Sequence, residues 1–66
     1  MAMHIGPKFR ITDSVGMVVG GFEAVPAQNA IFFSLSPDVP IEWLQVGETT
    51  PARARGGERY QITRVE

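Results

Sequence analysis

Polar and apolar residues alternate with a period of two along Lys8-Phe9-Arg10-Ile11-Thr12, the pattern of a half-buried strand. Asp13-Ser14-Val15-Gly16 follows, with Asp first and Gly fourth, as a type I turn prefers. Met17-Val18-Val19 is β-rich, and the run continues through Gly20-Gly21 to Val25. A glycine pair within a strand marks a bulge or a sharp bend. Residues 17–25 are therefore read as one long, curved strand. Pro26-Ala27-Gln28-Asn29 is expected to turn the chain.

Ala30-Ile31-Phe32-Phe33-Ser34-Leu35-Ser36 is the most apolar run. As a strand it places Ile31, Phe33 and Leu35 on one face and Phe32 on the other. Ser36 to Pro40 reads as punctuation. Ile41 to Val46 is ambiguous: Pro40, Glu42 and Gly47 suit a short helical turn. So short a helix has little intrinsic stability, which favours strand or extended chain there. Thr49 to Gly57 reads as a polar loop broken by Pro51 and Gly56-Gly57. Arg59 to Val65 closes the chain as a strand, with Tyr60 and Ile62 facing one way.

These elements and their turn spacing predict an all-β fold. The expected form is a small curved antiparallel sheet or SH3-like barrel of four to five short strands. One short helical turn near residues 40–46 is the open variant. Residues 1–7 are read as a flexible N-terminus, in which Met1-Ala2 is compatible with a cloning remnant. Residues 8–66 form the single β domain.

Composition narrows the function classes. The chain has 66 residues, 44% of them hydrophobic and 20% charged, so disorder is not the default. With no Cys and one His, disulfides and a His/Cys zinc site are excluded as staples. A chain this small buries only roughly 60% of its unfolded surface, so burial against another molecule is expected to help. The uncharged stretch from Ala24 to Pro37 is too short and too polar for a membrane span. The N-terminus lacks a signal peptide's basic and apolar regions, and the absence of Cys suits a reducing compartment. A cytoplasmic chain without membrane contact is the expectation.

Catalytic chemistry is hard to assemble from these residues. His4 is the one histidine and lies in the terminal segment, and there is no cysteine nucleophile. None of Ser14, Ser34 and Ser36 sits in a Gly-x-Ser-x-Gly elbow. The carboxylates are scattered without the spacing of an acid/base pair, and no lysine follows the Gly16–Gly21 glycines as a phosphate loop requires. The expectation is a non-enzyme with no cofactor and no metal.

The informative pattern lies in the distribution of charge. The net value is −1, from six basic and seven acidic residues. Residues 11–52 hold five acids (Asp13, Glu23, Asp38, Glu42, Glu48) and no base, a local charge of −5. The last fourteen residues carry Arg53, Arg55, Arg59 and Arg64 against Glu58 and Glu66, a local charge of +2. First and last strands of small barrels often pair. That arrangement would gather Lys8, Arg10, Arg59 and Arg64 on one basic side, with Arg53 and Arg55 on an adjoining loop.

The resulting expectation is a self-associating protein-interaction module of the accessory kind that phages and mobile elements encode. An apolar patch of Phe32, Trp43 and Leu44 would supply affinity. The basic surface of Arg53, Arg55, Arg59 and Arg64 would supply specificity. The partner would be another copy or another protein. The alternative is a nucleic-acid or anion-binding barrel using the same arginines, with Tyr60 as a stacking platform. The acidic pI near 5.7 disfavours nucleic acid. A weaker alternative is an oligomeric enzyme with its site at a symmetry axis.

Overall fold

The structure, a computed structural model, describes residues 7–19, 25–26 and 35–66. It contains five strands: β1 (Lys8–Asp13), β2 (Val25–Pro26), β3 (Ser36–Pro37), β4 (Thr49–Arg53) and β5 (Arg59–Arg64). A single 3-10 turn spans Ile41–Trp43. The strands form one antiparallel sheet in the order β2-β1-β5-β4-β3. The sheet is slightly curved and not closed. The all-β expectation holds, in its curved-sheet form.

The last strand is central, paired to β1 on one side and β4 on the other. Register follows from alternation. Phe9 and Ile11 of β1 are buried while Arg10 is exposed, and Ile62 of β5 lies opposite Ile11. Any one-residue slip would carry these side chains to the wrong face. Phe9, Ile11, Leu44, Ala52 and Ile62 make the core, with Val19, Leu35, Ile41 and Tyr60 packed around them.

Two hairpin loops share one hydrogen-bond pattern. After β1, Gly16 N–H donates to the Asp13 carbonyl (3.0 Å) and Asp13 N–H to the Met17 carbonyl (2.9 Å). Between β4 and β5, Gly57 N–H donates to Ala54 (3.0 Å) and Ala54 N–H to Glu58 (2.8 Å). Each is a type I turn closed by a left-handed residue, Gly16 at φ +91° and Gly57 at φ +93°. Asp13 adds its carboxylate, which accepts from the N–H groups of Val15 (3.0 Å) and Met17 (2.9 Å). The turn expected at residues 13–16 is thus present.

Three expectations change. Thr49–Arg53 is a strand rather than part of a polar loop, with Thr50 and Ala52 buried between exposed Thr49, Pro51 and Arg53. Pro51 is tolerated because its carbonyl accepts from Asp38 N–H at 2.9 Å, on the β3 side. A strand residue's N–H and C=O point the same way, so the missing donor faces the two-residue edge strand. Second, the open variant near residues 40–46 replaces the favoured strand: Ile41–Trp43 adopt a 3-10 turn before the chain extends at Leu44 (φ −74°, ψ 137°). Third, Pro26 and Pro37 stand in strands β2 and β3, expected as turn and punctuation. Both lie on edges, where a missing N–H is least costly. Within the curved strand expected at 17–25, Val18 bridges to Thr12. Residues 20–24, and 30–34 of the apolar run, lie outside the described residues.

Candidate functional site

Alternation divides the sheet's side chains into two faces. The core face carries Phe9, Ile11, Thr50, Ala52, Tyr60 and Ile62. The opposite face carries Lys8, Arg10 and Thr12 from β1; Arg59, Gln61 and Thr63 from β5; and Thr49, Pro51 and Arg53 from β4. It holds four cationic residues and no carboxylate among these nine positions. The expected meeting of the terminal strands does gather basic residues, but its membership differs.

Arg53 joins the face because Thr49–Arg53 is a strand. Arg64 leaves it, since it pairs in register with Phe9 and turns toward the core side. Its Nη1 donates to the Leu44 carbonyl (2.9 Å) and its Nε to the Glu66 carbonyl (2.9 Å). Arg64 thus acts as a strut between the central strand, Leu44 and Glu66. Arg55 is exposed at the tip of the β4–β5 hairpin, beside Arg53 and Arg59. Lys8 lies 3.8 Å from Glu66 at the other end of the face.

Arg53 and Arg59 stand directly opposite each other. The β4–β5 ladder makes its backbone bonds at Thr50 and Ala52, because Pro51 bonds toward β3. Arg53–Arg59 is therefore a non-hydrogen-bonded pair, the class in which facing side chains approach most closely. The equivalent pair four residues along the ladder, Thr49–Thr63, brings its hydroxyls within 2.7 Å. Among the described residues neither Arg53 nor Arg59 has a carboxylate within 4.0 Å. With Asp38 and Pro51 they line a shallow groove of about 190 Å³.

Arg10 lies opposite Thr63, four residues along β5 from Arg59. At about 3.3 Å per residue this separates the two cationic ends by about 13 Å. The strip between them, Thr12, Gln61, Thr63, Thr49 and Pro51, offers hydroxyl and amide groups and no aromatic ring. Tyr60 points to the other face, half-buried against the core, away from Arg53 and Arg59.

The apolar candidates separate. Trp43 is 72% exposed, whereas Leu44 is 6% exposed and belongs to the core. An extended residue after the 3-10 turn points its side chain opposite to its neighbour's, which corrects the reading of the pair as one patch. Phe32 lies outside the described residues. Val46, in the turn that follows, is also exposed. No helix among the described residues is long and apolar enough to cross a membrane. Compared with protein-family models, curated proteins and solved structures, the chain gives no match.

Proposed function

We propose that the chain is a non-enzymatic interaction module that docks an acidic protein segment on the outer face of its sheet. The observation that carries this is the sorting of Lys8, Arg10, Arg53 and Arg59 onto one face of the sheet, with Arg53 and Arg59 directly opposite each other in register. Electrostatic complementarity of this kind steers encounter and fixes register. The spacing favours an extended segment with acidic positions about four residues apart, one for each cationic end. At physiological ionic strength charges about 13 Å apart exceed the Debye length, so the two ends act as separate attachment points.

Protein is favoured over nucleic acid for two reasons. The chain's net charge is −1, with five acids between residues 11 and 52, which would repel a long polyanion. Tyr60 is also turned away from Arg53 and Arg59. Trp43, 72% exposed, offers a second, apolar contact of the residue type enriched in interface hot spots.

The reading is tested by isothermal titration with hexaglutamate and with a random DNA duplex at 20 and 200 mM salt. Binding of hexaglutamate that weakens with salt, lost in Arg10→Glu/Arg59→Glu, is the expected result. Tighter binding of the duplex, or no hexaglutamate binding at low salt, overturns it. Light scattering that shows assemblies of this chain, broken by the same double substitution, would instead make a second copy the occupant of the face.

A further inference from the structure

We infer that the groove between Arg53 and Arg59 is a carboxylate-binding site, in which Asp38 sets a preference for singly charged carboxylate over doubly charged phosphate. This deepens the proposed docking of an acidic segment and rests on it. Two like charges opposed across a strand pair destabilise the sheet. Here they stand in the closest-approaching pair class, exposed, and without a carboxylate within 4.0 Å among the described residues. A bound anion relieves that repulsion, so the ligand gains whatever the empty pair loses.

Size and donor geometry define the anion. The groove, about 190 Å³ and open to solvent, has room for a side-chain carboxylate. A carboxylate offers about four lone-pair sites, and each guanidinium presents a planar fork of donors. One arginine on each side can therefore satisfy both oxygens.

Charge then selects among anions. Asp38 lines the same groove, so with Arg53 and Arg59 the groove carries a net +1. One carboxylate neutralises it. A phosphate monoester, at about −1.5 to −2 near neutral pH, would leave excess negative charge facing Asp38. Asp38 is held in place by its backbone N–H, which donates to the Pro51 carbonyl at 2.9 Å. The source of the carboxylate is a Glu or Asp of the acidic segment lying along the same face.

The test compares hexaglutamate with a peptide of equal net charge in which phosphoserine replaces part of the glutamate. Titrations use wild type, Arg59→Gln, Arg10→Gln and Asp38→Asn, each checked for a cooperative thermal unfolding transition. Wild type is expected to prefer hexaglutamate. Arg59→Gln should lower that affinity about tenfold, as loss of a charge-assisted contact implies, and more than Arg10→Gln does. Asp38→Asn should shift preference toward the phosphopeptide several-fold. Equal loss in Arg59→Gln and Arg10→Gln overturns the focal site while leaving the acidic-face reading intact. A wild-type preference for phosphopeptide, or no shift in Asp38→Asn, overturns the selectivity. Failure of wild type to bind either peptide removes the underlying reading instead.

Discussion

The Arg64 guanidinium reaches across the end of the sheet to the Leu44 carbonyl at 2.9 Å, and its Nε holds the Glu66 carbonyl. One side chain thus ties the 3-10 segment and the C-terminus to the central strand. Arg64→Ala should destabilise the fold by about 1.5 kcal/mol or more, the scale of hydrogen bonds to a charged group. Arg64→Lys should recover only part of this, because an ammonium lacks the planar fork. Urea unfolding measures both, and a wild-type midpoint for Arg64→Ala would remove the strut role.

Adjacent positions in that segment should behave oppositely. Leu44→Ala removes a core side chain and is expected to cost about 2–5 kcal/mol. Trp43→Ser, at an exposed position, should change stability by less than about 0.5 kcal/mol. If Trp43 anchors a partner, the same substitution weakens association while thermal unfolding stays put. A large stability loss in Trp43→Ser would show that the ring is packed after all.

Gly57 meets no atom within 4 Å where a Cβ would sit, yet its φ is +93°. Any penalty for Gly57→Ala is therefore conformational rather than a clash. About 1–2 kcal/mol is expected, with Gly57→Asn milder because Asn tolerates the left-handed region. Equal unfolding midpoints for Gly57→Ala and wild type would mean that the hairpin turn had changed type.

Arg53→Glu should separate stability from binding. It converts an opposed like-charge pair into an opposite-charge pair, a gain of about 0.2–1 kcal/mol. Hexaglutamate binding should nevertheless be lost. The stability gain should fade in 1 M salt, where screening is nearly complete at this distance. A less stable Arg53→Glu protein would show that Arg53 is engaged within the fold.

Much of the fold was legible from local pattern. The alternation of residues 8–12, the Asp13–Gly16 turn and the closing strand at 59–64 all depend on short-range rules, and they appear as expected. Thr49–Arg53 was not legible, because Pro51 and its polar neighbours carry a loop composition. That segment becomes a strand only because β5 pairs one side of it while a two-residue strand leaves room for the proline on the other. Residues 41–46 were undecided for a related reason: neither period dominates, and burial of Leu44 settles the segment's course.

The candidate site divides the same way. Sequence alone determined that basic residues crowd the two ends of the chain around an acidic middle. It also excluded disulfides and a His/Cys zinc site, since those need cysteines and histidines the chain lacks. Which arginines share a surface was decided by register. Strand pairing placed Arg53 opposite Arg59, sent Arg64 and Tyr60 to the core side, and split Trp43 from Leu44. Face membership depends on the parity of each residue within a strand whose limits and partners are fixed only by long-range pairing. A list of charges cannot contain that information.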